Sequence, residues 1–394
     1  MNIILFDDGL RSQFYPLDLG RPLAHLLTGC YTMEERWQAY SSLPISFQYL
    51  TEEYLNLEPK FEDQKEYIYI NARLIASREV KEDILQSTKN QSFISDNRLL
   101  WIKSSKAFPN FKALNTYAEQ APAIEYKKPF TILKSAWDLF SYNESIIASD
   151  IKTLPESYKV KNAIPGVYMD DPSRIYIHPE AKLKPCFLEA QKGYIYIGPN
   201  ATINMGAMVQ GSLVMLKNAE LKMGAKIYGS TTLGQHVKIG GEVANVIFFD
   251  FSNKGHEGFV GNSVIGSWCN LGADTNSSNL KNNYSKISVW NPYLKKNIDT
   301  GLQFLGVLMG DHCKLGINTM LNTGTVIGTH SNIFGAGFPN KFIPSFYWGG
   351  AETKDRYDFD KAMQTAERMM ARRRQVLTEK SINVYKHIFK NTHL

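Results

Sequence analysis

The stretch Ile197-Gly-Pro-Asn-Ala-Thr-Ile203-Asn-Met-Gly-Ala-Met-Val209-Gln-Gly-Ser-Leu-Val-Met215-Leu-Lys-Asn-Ala-Glu-Leu221 places an aliphatic side chain at every sixth residue. The series continues through Ile227, Leu233 and Ile239, resumes at Phe259, Ile265 and Leu271, and resumes again at Met309, Leu315, Leu321, Ile327 and Ile333. Four residues after the aliphatic position the side chain is small, as at Ala201, Ala207, Ala219, Ala225, Thr231, Ser263, Cys269, Cys313, Thr319, Thr325 and Ser331. Neither the helical period of about 3.6 nor the strand period of 2 produces this spacing, whereas a hexapeptide repeat does. Each hexad is one short strand and one turn, and three hexads close a triangular coil. The aliphatic side chain fills the prism and the small one fits its corner.

Such a prism is the left-handed parallel β-helix, a fold that departs from the usual right-handed crossover. Two stretches interrupt the series, residues 242–258 and about 277–308, and loops thrown from a regular prism are where chemistry is expected. Before the repeat the texture is mixed. Ile3–Phe6, Tyr67–Ile70 and Leu99–Ile102 read as strands and residues 31–40 as a helix, which indicates an α/β domain. After the repeat, Phe359, Met363, Ala366, Met370 and Leu377 have helical spacing, with Arg372–Arg374 beside them. The expected layout is an α/β domain over 1–165, a β-helix over 172–350 and a basic amphipathic helix over 351–394.

The 394 residues carry a net charge of +6, and residues 361–394 account for all of it, with eight Lys/Arg against two acids. The rest of the chain is balanced, so no chain-wide nucleic-acid surface is expected, and the basic helix reads as a packing element with a solvated side. No apolar run approaches a membrane span, and Met1-Asn-Ile-Ile-Leu-Phe-Asp-Asp8 lacks the basic start of a secretory signal. Cys30, Cys186, Cys269 and Cys313 are far apart in sequence, which suggests neither a zinc ribbon nor a disulfide scaffold. A reducing cytoplasm is the expected compartment.

His256 lies in Asn253-Lys-Gly-His256-Glu-Gly-Phe-Val-Gly261, at the end of the first interruption. Histidine titrates near neutrality and serves as a general base, although a lone loop histidine is more often a surface residue. Downstream, Asn270 and Asn279 are amides able to hold sugar hydroxyls or a phosphate, or simply corner residues. Prism-region histidines 178, 236, 256, 312 and 330 lack the H-x4-H spacing that a prism-type zinc carbonic anhydrase would need.

These residues lead to a family. Gly255-His256, Phe259-Val260-Gly261, Ile265-Gly266, Asn270-Leu271-Gly272-Ala273 and Asn279 resemble the acetyltransferase motif of the bacterial bifunctional enzymes that make UDP-N-acetylglucosamine. Those enzymes join a uridyltransferase domain to a hexapeptide-repeat acetyltransferase. The resemblance implies that His256 deprotonates the amine of a glucosamine 1-phosphate-like acceptor, that Lys254, Asn270 and Asn279 contact the acceptor, and that Ala273 and Gly335 meet acetyl-CoA. It also implies a homotrimer with CoA between neighbours. Phe259 replaces the family's tyrosine, and the family's phosphate-binding arginine and lysine fall near Tyr228 and Val246.

For the first domain, the family opens with a Gly-rich loop, whereas this chain reads Phe6-Asp7-Asp8-Gly9-Leu10-Arg11 and later Gly20-Arg21-Pro22-Leu23. By the same resemblance, Asp7, Asp8, Arg11, Arg21 and Asn71 are the candidates for holding a nucleoside triphosphate. Asn71 stands where the family has its magnesium aspartate, which leaves Asp7 and Asp8 for Mg²⁺, and an amide binds that ion more weakly than a carboxylate. The other reading of Asp7, Asp8 and Arg11 is a structural network at a strand end. The expected function is acetyl-CoA-dependent N-acetylation with linked nucleotidyl transfer. The alternative is a non-catalytic sugar-nucleotide-binding regulator or scaffold with a degenerate first domain.

Overall fold

A computed structural model describes residues 1–62 and 65–392, so the last two residues of the C-terminal segment assigned to 351–394 lie outside the described residues. The chain divides by contacts into two compact units. One contains 1–14, 20–26 and 31–134, the other 15–19, 27–30 and 135–394. Along the main run of the chain the division falls between Lys134 and Ser135.

The first unit is an α/β domain on a six-stranded sheet. Its strand Asn2–Phe6, next to the edge strand, lies parallel to both Ser46–Leu50 and Tyr67–Asn71, and the latter pairs antiparallel with Arg98–Ser104. Tyr67-Ile-Tyr-Ile70 is buried on both faces, as its unbroken apolar run requires. Ile4, Phe6, Leu50, Tyr69, Ile102 and Leu114 share one core. The helix expected over 31–40 is Met33–Ala39, started by a capping box in which Thr32 and Glu35 satisfy each other's backbone N–H.

The second unit contains the prism, a left-handed parallel β-helix. Its strands stack in parallel ladders, for example Ile195–Ile197 on Leu213–Met215 on Thr231–Leu233, and Thr202–Ile203 on Glu220–Leu221 on Lys238–Ile239. The hexad residues Ile197, Ile203, Met215, Leu221, Leu233 and Ile239 are fully buried in one core. Each such side chain contributes about 1.5–3 kcal/mol relative to exposure. Cys269 and Cys313 occupy corner positions in that core, with Sγ 3.1 Å from the Gly310 carbonyl and 3.0 Å from the Gly328 carbonyl.

Two expectations are corrected here. Residues 242–258 are not a loop thrown from the prism. Glu242–Phe248 is a strand in register with Lys226–Tyr228 and with Phe259–Ile265, and Val243, Val246 and Phe248 are fully buried. The coil is merely shorter, so the hexad phase slips while the interior stays filled. The same slip changes Phe259: Val260 takes the interior position opposite Val243, and Phe259 is turned outward opposite Glu242. The second interruption is a true excursion, leaving after Asn279, forming the antiparallel hairpin Ser288–Asn291 with Lys296–Asp299, and returning at Leu305.

One prism corner carries left-handed residues with rings. His236, Phe251, Trp268, His312, His330 and Phe346 all have φ between 56° and 64°. A side chain there costs about 1–2 kcal/mol over glycine, and ring stacking offsets it. Centroids lie 4.7 Å apart for His236–Phe251, 4.1 Å for Phe251–Trp268, 4.6 Å for His312–His330 and 5.0 Å for His330–Phe346. Two C-terminal helices, Phe359–Ala371 and Glu379–Asn391, stand where the sequence suggests one, with Arg374 at φ 56° in the break. The second helix sets Tyr385 edge-on to His330 at 4.4 Å and Phe389 against Phe346 at 5.0 Å. No helix among the described residues is long and apolar enough to cross a membrane.

Candidate functional site

The His256 turn joins strand Asn253–Lys254 to strand Phe259–Ile265. Lys254, expected to contact an acceptor, is instead buried under the turn. Its Nζ donates to the Gly240 carbonyl at 3.1 Å and to the His256 carbonyl at 2.7 Å. Burial pushes its pKa down to about 8, against the opposing pull of Glu257, Asp274 and Glu242. Gly258 has φ +111°, and a Cβ there would lie 2.3 Å from the Thr275 carbonyl oxygen, so only glycine lets the next coil stack this closely. His256 itself is exposed, and its imidazole makes no hydrogen bond among the described residues.

The following coils build an edge from this turn. Asp274 N–H donates to the Glu257 carbonyl at 3.0 Å, and Asn318 N–H donates to the Ala273 carbonyl at 2.8 Å. Gly316 N–H donates to Ile333 at 2.7 Å, which sets Phe334-Gly335 beyond Ile317. The structure thus brings His256, Ala273 and Gly335 onto one edge. A Cβ built on Gly335 meets nothing within 4 Å, and Ile317 and Phe334 beside it are exposed. Asn270 is exposed on the face leading into that edge, in register with Asn253 and Lys314. Asn279 is not brought to His256: it lies at the next edge, where its Nδ2 donates to Asn262 Oδ1 at 2.8 Å.

Sequence reading passed over two charges at this turn. Lys226 Nζ lies 3.8 Å from the Glu257 carboxylate, and Lys226 stands in register with Glu242 and hence with Phe259. The signal was available, because Lys226 precedes the interior Ile227 and so faces outward. Asn276 was also overlooked: its Oδ1 accepts from Phe259 N–H at 2.9 Å and fixes the strand that follows His256. Tyr228 donates its hydroxyl to Glu242.

The candidates in the first unit do converge. Asp7 pairs with Arg11, accepts from Thr51, and takes the Leu23 N–H at 3.0 Å. Asp8 pairs with Arg73, which also donates from Nε at 2.9 Å, and accepts from Asn71 Nδ2 at 3.0 Å and Leu10 N–H at 3.1 Å. Arg21 joins through its carbonyl, which accepts from Arg11 at 2.7 Å. Burial raises the Asp7 carboxyl despite Arg11, whereas at Asp8 the bonds and charge of Arg73 outweigh burial and hold it below the usual carboxylate range. Arg73, buried at 1% exposure, was missed because nothing in its local sequence marks it. Asp8 does not fit Mg²⁺, since each of its oxygens already accepts from two protein donors, and three donors on Asp7 leave it a single open lone pair. No group of three metal-ligating side chains occurs among the described residues.

Residues 3–159 match the sugar nucleotidyl transferase family. The uncharacterized acetyltransferase YaiX of Escherichia coli is 29% identical over 202 residues, 49% of this chain and 86% of the relative. The bifunctional sugar-1-phosphate nucleotidylyltransferase/acetyltransferase of Sulfurisphaera tokodaii is 30% identical over 154 residues, 39% of this chain and 38% of the relative. The protein is a transferase, similar to these enzymes over parts of its length. Among solved structures, AntD, an N-acyltransferase from Bacillus cereus in complex with dTDP and 3-hydroxybutyryl-CoA, aligns at 14% identity and a TM-score of 0.23, over 53% of the transferase and 92% of that chain. In the transferase, the histidines weighed as zinc ligands have another role, since His236, His312 and His330 stack in the corner column.

Proposed function

We propose that the transferase moves the acetyl group of acetyl-CoA to the amine of an amino-sugar phosphate of the glucosamine 1-phosphate type. The observation that carries this reading is an exposed His256 sharing one prism edge with Ala273 and the open Gly335. His256 accepts the proton of the amine as its nitrogen attacks the thioester carbonyl. The tetrahedral adduct collapses, the carbon–sulfur bond breaks, and CoA leaves as its thiol, taking the proton that His256 gives back. No covalent enzyme intermediate is needed, because an amine freed of its proton is itself a competent nucleophile. Ala273 and Gly335 face the CoA arm, Asn270 holds the acceptor, and Lys254 keeps the turn in place.

The working form is a homotrimer, with CoA held between neighbouring copies. An outward apolar stripe supports association: Tyr168, Phe187 and Met208 lie in register on one face and are 54%, 51% and 43% exposed. The test is a two-part assay. Acetyl-CoA offered with a panel of amino-sugar phosphates must release thiol in an acceptor-dependent way, and light scattering must give three times the chain mass. Thiol release no faster than hydrolysis with every acceptor would overturn acyl transfer.

For the first unit the proposal is a sugar-phosphate nucleotidyl transferase, tested by pyrophosphate release from each nucleoside triphosphate with the matching sugar phosphate. A specific observation favours a second reading, nucleotide-sugar binding without chemistry. Asp8 and Asn71 are both engaged with Arg73 or its neighbours, so neither is open to a metal–triphosphate.

A further inference from the structure

A cleft of ≈ 640 Å³ opens on the second unit, away from the His256 edge, within the ~300–1,000 Å³ span of small-molecule sites. Its floor is a prism corner, its wall is the start of the helical segment that follows Ser135, and its lip is the returning arm of the 280–304 excursion. Asn245 and Asn262 form the floor with φ 54° and 46°, in successive coils where earlier coils have Gly211 and Gly229. The left-handed corner tolerates asparagine, and here it adds an amide side chain that glycine lacks.

Each amide has one end fixed. Asn245 Oδ1 accepts from Ser230 N–H at 2.7 Å, and Asn262 Oδ1 accepts from Asn279 Nδ2 at 2.8 Å. Fixing the oxygens sets the orientation of both Nδ2 groups, and neither donates to a partner among the described residues. Across the cleft, the Glu144 carboxylate and the Lys286 ammonium are exposed and likewise have no partner among the described residues. Phe304 lines the lip at 47% exposure, with Phe140 and Leu302 also among the apolar lining residues.

This donor and acceptor set selects a ligand class. Two amide donors, one ammonium and one carboxylate can satisfy several hydroxyls at once, and the exposed ring covers a C–H face. One acid against one base gives no net attraction for a polyanion, so a multiply charged phosphate is disfavoured. We propose that this cleft is a second binding site, taking an uncharged, hydroxyl-rich sugar ring, separate from the acyl-transfer edge.

The experiment is saturation-transfer NMR on the full chain with cellobiose and with N,N′-diacetylchitobiose as probes. The expected result is saturable transfer to the sugar ring protons from at least one of them. Phe304→Ala and Asn262→Gly are each expected to weaken it about fivefold, the worth of one stacking contact or hydrogen bond. Glycine at 262 keeps the left-handed corner, and Glu144→Gln is a third variant on an exposed side chain, so folding does not confound the comparison. His256→Ala must leave the signal unchanged, which separates this site from the proposed acetyl transfer. Absence of transfer from both disaccharides at millimolar concentration, or transfer that persists in all three cleft variants, would overturn the proposal. Transfer lost in His256→Ala alone would place the sugar at the acyl-transfer edge and overturn it equally.

Discussion

The His256 turn and the Asp7–Arg73 cluster use charge in opposite ways. At the turn, the buried Lys254 is engaged with two backbone carbonyls, and the His256 imidazole is left facing solvent with no hydrogen bond among the described residues. At the end of strand Asn2–Phe6, the carboxylates of Asp7 and Asp8 are engaged by Arg11, Arg73, Thr51, Asn71 and two backbone N–H groups. A group that is to exchange a proton with a substrate needs its lone pair uncommitted. A group whose bonds are all made internally holds the fold, and removing a partner exposes the desolvation cost of the other. Proximity of charged residues in sequence does not tell these cases apart.

The comparison yields predictions of decreasing size. His256→Ala is expected to lower acetyl-CoA turnover by about 10²–10⁴-fold while the thermal midpoint stays put, because the exposed imidazole packs against no core. Thiol-release kinetics beside a melting curve checks this, and wild-type turnover in the variant would erase the contrast. Arg73→Ala is expected to do the reverse, destabilising the first unit by about 3–5 kcal/mol as the buried Asp8 carboxylate loses its partner. Urea denaturation followed by tryptophan fluorescence measures it, and a loss under 1 kcal/mol would mean the cluster is not structural.

Lys254→Met tests the link between the regions' two modes, since it removes a buried charge that holds a working turn. It is expected to leave the Gly240 and His256 carbonyls unmatched, to destabilise by about 1–3 kcal/mol, and to lower turnover less than His256→Ala. Turnover reduced as far as in His256→Ala, with stability intact, would instead give Lys254 a direct part in the reaction.

The smallest effect concerns the ring column. Burial holds His330 neutral, with its pKa well below the usual value of 6.5. The unfolded chain therefore binds the extra proton first, and stability is complete above about 6.5 and falls as the pH drops below it. His330→Phe keeps a ring at the corner, as Phe251 and Phe346 do, and is expected to flatten the slope of the melting midpoint between about pH 6.5 and 5. An unchanged slope would mean that other groups govern acid stability.

From sequence alone, the six-residue aliphatic period was enough to define the prism, because each interior position takes one side chain and the coil repeats. Phe259 was misread as interior because a period cannot register a coil that is shorter than its neighbours. Only the ladder, with Val260 opposite Val243, shows that the phase has slipped and turned Phe259 outward. The tertiary structure alone decided that Lys254 is buried, that Arg73 closes on Asp8 from 65 residues away, and that Asn279 belongs to the edge with Asn262 rather than with His256. Those outcomes depend on which side chains meet across coils and strands, and a hydrogen bond between distant residues leaves no periodic trace in the chain that makes it.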